Sequence, residues 1–285
     1  MSEIQAAKIL SRRFPAKRAF ITGAGSGLGR AVATELAGAG WQLGLLDLSA
    51  PRLAETEAAL RSGGATTFTY AGDVANEAFV ADSVADFVRR AGGLDLMVNN
   101  AGVAVAGPLE TTPAADWRWI TNINLLGVVW GCQAAVPHLR AARCGLVLNV
   151  ASSAGFAAAP QMSAYNATKA SVIALTETLA AELDGSGVQA SVAMPGFFST
   201  HLLATMRAPD EQRAMAQRIM QGSGEDATSA ARAILGAAAS GRLHIVWPGK
   251  YRLAWRLKRL FPAWFVRRVA KLRDRRLPGA NPPQG

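Results

Sequence analysis

Thr22-Gly23-Ala24-Gly25-Ser26-Gly27-Leu28-Gly29-Arg30 is the stretch on which the reading of this chain turns. A short apolar run, residues 19–22, leads into it, and a segment of helical periodicity, 27–39, leads out. A strand-to-helix turn so rich in glycine bends tightly and lets the backbone approach a ligand closely. An anion lying there, such as a pyrophosphate, meets the positive N-terminus of the following helix. The glycines fall as Gly23-x-x-x-Gly27-x-Gly29, not as the common G-x-G-x-x-G, and no Gly-Lys-Ser/Thr follows them. The missing lysine argues against a nucleoside triphosphatase. Thr22, Gly23, Gly25, Ser26, Gly27, Leu28 and Gly29 are therefore candidates to surround the phosphates of a dinucleotide.

Outward from this loop the same alternation repeats. Apolar strand candidates at 42–47, 66–71, 94–98, 146–150, 189–193 and 244–247 alternate with helical segments at 51–62, 76–91, 113–142, 163–184 and 225–239. Strands whose apolar residues run on without polar alternation belong to a parallel sheet covered on both faces. Right-handed crossovers then give a doubly wound, Rossmann-like α/β domain of about seven parallel strands, with ligands beyond the strands' carboxyl ends. Residues 17–249 are expected to form this single domain, after an N-terminal arm, 1–16. Residues 250–285 read as a basic amphipathic extension, expected to be disordered beyond Leu277.

The bulk numbers agree. Of 285 residues 50% are hydrophobic and 18% charged, which excludes wholesale disorder. Two cysteines, Cys132 and Cys144, exclude a disulfide framework, and with three scattered histidines they suggest no metal site. Such usage suits the reducing cytoplasm. The first 14 residues lack the apolar core of a signal peptide. The long uncharged runs 119–139 and 144–168 hold Asn122, Asn124, Gln133 and Pro137, or many Ser, Ala and Gly, and read as buried elements of a soluble domain. The net charge of +10 is unevenly placed: from Arg242 onward twelve Lys and Arg face the single acid Asp274, a net +11, leaving the body at −1. A nearly neutral body argues against nucleic acid as a partner.

Asp47 closes the second strand, 24 residues after Gly23. A carboxylate there accepts from both ribose hydroxyls of an adenosine and repels a 2′-phosphate. Neither Ser26 nor Leu48 supplies a compensating cation, so the reading is NAD over NADP.

Further motifs stand in the same relation to their strands. Asp73-Val74 follows the third and Asn99-Asn100-Ala101-Gly102 the fourth; Asn124 lies in the long helical segment; Ser152 follows the fifth. Tyr165 and Lys169 form a Tyr-x-x-x-Lys pair, and Pro195-Gly196 follows the sixth strand, with Thr200 four residues on. In this order, and with 13 residues from Ser152 to Tyr165, the chain resembles the short-chain dehydrogenase/reductase (SDR) family over residues 17–247. The resemblance implies Asp73 and Val74 at the adenine, and Asn100, Ala101 and Gly102 along the cofactor. It further implies Pro195 and Gly196 beside the cofactor, Thr200 on the nicotinamide carboxamide and Lys169 on the nicotinamide ribose. Asn124 would complete a proton relay through water. A homodimer or homotetramer packed through 113–142 and 163–184 is implied as well.

The chemistry follows from spacing. Tyr165 and Lys169 are four apart on an expected helix and share one face. A free tyrosine has a pKa near 10 and is a poor base at neutral pH. An ammonium beside it, with the positive nicotinamide of the oxidised cofactor, favours the phenolate and is expected to lower that value. Ser152 would hold the substrate oxygen within reach of the Tyr165 hydroxyl. The reading is hydride transfer between NAD and an apolar secondary alcohol or its ketone, with Tyr165 as general acid and base. Ser152 sits in no Gly-x-Ser-x-Gly elbow, which argues against a hydrolase. A 3-oxoacyl-thioester reductase shares the catalytic residues, but Asp47 disfavours its usual NADP. A non-enzymatic redox sensor or membrane-associated module has no need of the Ser152–Tyr165–Lys169 set.

Two segments carry specificity. The substrate walls are expected from 103–109, 154–161 and a mobile lid, 197–224, rich in Val105, Phe156, Ala157, Ala158, Ala159, Phe197, Phe198 and Met206. No Arg or Lys stands in them before Arg207, hence an apolar substrate. In the tail, Leu253, Leu257, Leu260, Phe261, Trp264 and Phe265 recur at helical spacing among Arg252, Arg256, Lys258, Arg259, Arg267 and Arg268, and Pro262 separates two short helices. Such a stripe either meets an anionic membrane surface, making the protein peripheral there, or docks on its own domain or a partner subunit.

Overall fold

A computed structural model describes residues 5–274, so the disorder expected beyond Leu277 lies outside the described residues. Seven parallel strands form one sheet in the order β3-β2-β1-β4-β5-β6-β7. They are β1 Arg18–Thr22, β2 Gln42–Asp47, β3 Thr67–Ala71, β4 Leu96–Asn99, β5 Gly145–Val150, β6 Val188–Pro195 and β7 His244–Trp247. The helices between them are α2 Gly27–Ala37, α3 Ala50–Ser62, α4 Glu77–Ala91, α5 Ala114–Thr121, α6 Gly127–Ala142, α8 Ser163–Glu182 and α10 Ala227–Ala239. Shorter elements are α1 Gln5–Arg13, α7 Ala154–Ala157 and α9 Asp210–Gln221, and the chain ends in α11 Tyr251–Leu260 and α12 Pro262–Asp274.

Successive strand residues face opposite layers. Ala19 and Ile21 of β1 join a core with Leu28, Val32 and Leu36 of α2 and Ala230 and Ile234 of α10. Phe20 between them joins the other core, with Val84 and Phe87 of α4, Cys132 of α6 and Val172 of α8. The chain leaves β1 for β2 on one side and returns to β4 on the other, so a crevice opens above β1 and β4.

One detail differs from the sequence reading. The segment 113–142 is not one helix, because the π-turn Asn122–Leu126 separates α5 from α6. Within the N-terminal arm α1 lies along α10, Leu10 and Phe14 are fully buried, and Phe14 meets Trp41 edge-on at 6.4 Å. Burying two such side chains contributes roughly 1.5–3 kcal/mol each, which ties the segment to the body. The tail also folds back, with Tyr251, Ala254 and Trp255 of α11 against the body and Phe265 of α12 buried. Trp255 packs on His244, whose Nε2 lies 2.6 Å from Glu177.

Candidate active site

The glycine loop is clamped to β4 by side chains behind it. Thr22 Oγ1 accepts from the amides of Asn100 and Ala101 at 3.0 and 3.1 Å, and Asn100 Nδ2 donates to the carbonyls of Thr22 and Gly23 at 3.0 and 3.2 Å. Gly23 has φ +66°, and a Cβ there would stand 2.8 Å from Ala101 Cα. A Cβ on Gly29 would stand 2.1 Å from the Gly23 carbonyl oxygen, so only glycine lets α2 start this close to the loop.

Asp47 is buried at the end of β2, where Oδ2 accepts from Gly25 N and Oδ1 from Ser49 N, both at 2.9 Å. Two of the carboxylate's roughly four lone-pair sites remain for a diol. Arg52, in the first turn of α3, brings Nη2 to 3.6 Å from Asp47 Oδ1.

Tyr165 and Lys169 project from α8 beneath the end of β5 and are 7% and 3% exposed. Lys169 Nζ donates to the Val150 carbonyl at 3.0 Å and lies 5.9 Å from the Tyr165 ring centre. Ser152 Oγ accepts from Ala154 N at 3.1 Å and donates to Pro195 O at 3.5 Å. Gly155 lets α7 touch α8, since a Cβ there would lie 2.8 Å from the Lys169 carbonyl carbon. Burial pushes the Tyr165 phenol up, partly offset by Ser152, so that its pKa is raised. Burial also lowers Lys169 to about 8. In the protein alone desolvation disfavours both charged forms, and the expected lowering of Tyr165 depends also on the positive nicotinamide of the oxidised cofactor.

Asn124 is held at both ends of its side-chain amide. It sits fully buried in the π-turn, with Oδ1 accepting from Val103 N at 2.8 Å and Nδ2 donating to Val103 O at 2.9 Å and Thr168 Oγ1 at 3.3 Å. Its amide is occupied at both ends and anchors the loop after β4.

One cleft of about 840 Å³ joins these features. Gly23, Ser26, Gly27, Leu28, Asp47, Asp73, Val74, Asn100, Ala101, Gly102, Ser152, Tyr165, Lys169, Pro195, Gly196 and Thr200 all line it. Thr22, Gly25, Gly29 and Asn124 stand behind its wall and act through the bonds and close contacts above. Phe156, Ala157, Ala159, Phe197, Phe198 and Met206 make an apolar end, as the sequence suggests. The lid is stitched down where Arg207 N donates to Ala104 O and Ala106 N to Arg207 O, both at 3.0 Å. The Arg207 guanidinium meets Asp116 at 2.7 Å and lies over Trp119 at 3.8 Å.

The sequence reading missed Arg52 and Lys250 in this wall, and Tyr251, Phe265 and Val269 from the tail; Gln161, Gln212 and Arg218 fall within the wall segments it named. Arg52 was discoverable: Ser49 caps α3, which turns the helix's first residues back toward Asp47. The tail residues lie 50 and more positions after Thr200, and no local signal places them there. Among the described residues no cluster of His, Cys, Asp and Glu is placed to hold a metal, and no helix is long and apolar enough to cross a membrane.

A family model described as short chain dehydrogenase matches residues 17–211. A 2-(R)-hydroxypropyl-CoM dehydrogenase of Xanthobacter autotrophicus is 36% identical over 64% of this chain and 74% of its own. A D-beta-hydroxybutyrate dehydrogenase of Rhizobium meliloti is 36% identical over 69% of this chain and 77% of its own. Among solved structures, a short chain dehydrogenase/reductase from Burkholderia phymatum in complex with NAD superposes with a TM-score of 0.83 at 32% identity, covering 87% of this chain and 94% of that one.

Proposed function

Because this chain belongs to the short-chain dehydrogenase family, an oxidoreductase family acting on CH–OH groups, we propose that it uses NAD to interconvert an apolar secondary alcohol and its ketone. The observation that carries the reading is the convergence of Ser152, Tyr165 and Lys169 at the bottom of a cleft whose other end is Asp47.

When bound, NAD supplies a hydride acceptor and a positive ring beside Tyr165. Asp47 would take the adenosine ribose, Asp73 and Val74 the adenine side, and Gly23 to Leu28 the phosphates, with Asn100 to Gly102 and Pro195 to Thr200 along the nicotinamide half. In oxidation, Ser152 would hold the alcohol oxygen and the Tyr165 phenolate would take its proton as the O–H bond breaks, the carbinol hydride going to the acceptor that bound NAD would supply. Lys169 opposes the burial penalty of the phenolate by standing on its helix one turn away. Asn124 would position the loop after β4 through Val103, alongside the water relay that the resemblance implies for it.

The apolar end of the cleft supports the substrate class. The partly buried Leu125, Trp130, Val136 and Ile173 on or beside α6 and α8 support a homodimer or homotetramer through these helices. Free Cys132 and Cys144 suit a cytoplasmic location.

Replacing Tyr165 by Phe is the direct test. NADH binding should persist, while turnover on a panel of apolar alcohols should fall by roughly 10²–10⁴. Turnover near wild type would overturn the mechanism, and a preference for sugars or short hydroxy acids in the same panel would overturn the substrate class.

A further inference from the structure

The tail helices have two faces, and only one is explained by the body. Tyr251, Ala254 and Trp255 of α11 pack inward, Phe265 of α12 is buried, and Phe265 and Val269 wall the cleft. The opposite face is apolar as well. Leu253 is 64% exposed, Leu260 70%, Phe261 57% and Trp264 53%. Five of the seven large hydrophobics exposed among the described residues, Val266 included, lie on these two helices; the others are Leu48 and Leu109. Leu253 and Leu260 are two turns apart on one face of α11, and Phe261 and Trp264 continue from them around the joint into α12. Docking on the chain's own domain therefore accounts for the inner stripe and leaves the outer one bare.

Charge identifies what would cover it. Arg252, Arg256, Lys258, Arg259, Arg267, Arg268 and Lys271 stand on the same two helices, Lys250 precedes them, and no acid occurs from Lys250 through Lys271. Arg256, Arg267 and Arg268 are exposed. A second copy seated symmetrically on this face would bring these cations against themselves. A polynucleotide would meet the charges but leave Leu260, Phe261 and Trp264 in water. An anionic bilayer satisfies both sets at once: the aromatic and leucine side chains enter the interfacial region and the cations meet lipid phosphates. We propose that α11 and α12 dock this enzyme peripherally on an anionic lipid bilayer, through Leu253, Leu260, Phe261 and Trp264 with Arg256, Arg267 and Arg268 around them.

The experiment is co-sedimentation of the full chain with vesicles of phosphatidylcholine alone and of phosphatidylcholine with phosphatidylglycerol. The protein should pellet with the anionic vesicles, remain in solution with the neutral ones, and be released by salt as charges are screened. The triple variant Arg256→Gln, Arg267→Gln, Arg268→Gln should weaken vesicle binding by about tenfold or more, since each cation near an anionic surface is worth roughly fivefold. Leu260→Ser with Trp264→Ser should abolish it. Both variants should keep NADH binding and turnover of a water-soluble alcohol, which shows that the body is intact. Protein that stays in solution with both vesicle types, or binds both equally, would overturn the proposal. So would a Leu260→Ser, Trp264→Ser variant whose only change is a smaller particle by light scattering, because a second copy would then cover this face.

Discussion

Arg52 Nη2 lies 3.6 Å from Asp47 Oδ1 at the rim of the cleft, so the acid expected to choose the cofactor keeps a guanidinium beside it. Arg52 is about a third exposed and its Nε is buried without a hydrogen-bond partner among the described residues. With the guanidinium partly in solvent and 3.6 Å from the carboxylate, the pair adds little to stability. Its importance is to specificity: while Asp47 is present a 2′-phosphate meets a carboxylate, and once it is gone the phosphate meets an arginine.

Replacing Asp47 by Ser should therefore do more than weaken NAD. The ratio of kcat/KM for NAD to that for NADP should move toward NADP by roughly a hundredfold, the worth of a lost ribose bond to a charged group and a gained phosphate–arginine contact. Adding Arg52→Gln should remove the gain for NADP and leave the loss for NAD. An unchanged ratio in the single variant would mean that Asp47 does not face the ribose.

The pH profile of Ser152→Ala tests the phenol. Oxidation needs the phenolate, so turnover in that direction should climb with pH to a plateau. Burial raises the Tyr165 pKa and the Ser152 hydrogen bond lowers it. Removing that bond favours the protonated form, and the inflection of the profile should move to higher pH as well as the plateau falling. A variant with a lower plateau and an unmoved inflection would show that Ser152 acts on the substrate alone.

How much of this was legible beforehand depended on whether a signal is local. The sheet was readable because β2 and β7 each show in a few consecutive residues, and the Tyr165–Lys169 pair because four residues is one helical turn. The break between α5 and α6 was not, since a π-turn needs no Gly or Pro and Asn122–Leu126 is ordinary helical sequence. The upward shift of Tyr165 in the protein alone was not legible for a related reason. Proximity in sequence shows which charge is near, whereas desolvation depends on everything packed around the group, here an almost fully buried phenol. Tyr251 reaches the cleft from the tail by lying on Gly196, where a Cβ would come within 2.4 Å of its ring, and nothing within 50 residues of Gly196 announces that contact.

Arg207 pins the lid through side chain and backbone together, and the two can be separated. Arg207→Ala keeps the backbone bridge to Val105 but removes the ion pair with Asp116 and the stacking on Trp119. The substrate-facing Met206 and Phe198 should then be held less firmly. The expected result is a several-fold rise in KM for the alcohol, with a smaller change in kcat and none in the affinity for NADH. Equal losses in kcat and kcat/KM would place Arg207 in the chemical step instead.

Lys169 should impose a measurable pH dependence on folding. Its pKa falls from 10.5 to about 8 on burial, so the native state resists the proton that the unfolded chain takes up readily. Above pH 10.5 the amine is neutral in both states and there is no penalty; as pH falls the penalty grows, and it is complete below about 8. The sign is that of a group which destabilises the fold at neutral pH and relents in alkali. Lys169→Met has no such proton, though it also leaves the Val150 carbonyl without its donor, at a cost that pH does not alter. Urea unfolding of both proteins at about pH 7 and about pH 10 isolates the lysine, because every other titration is shared. Wild-type stability relative to Lys169→Met should improve by about 2 kcal/mol across that interval. A constant difference would show that the ammonium is not desolvated where α8 meets β5, and the argument that Lys169 and Tyr165 influence each other in a water-poor site would fail with it.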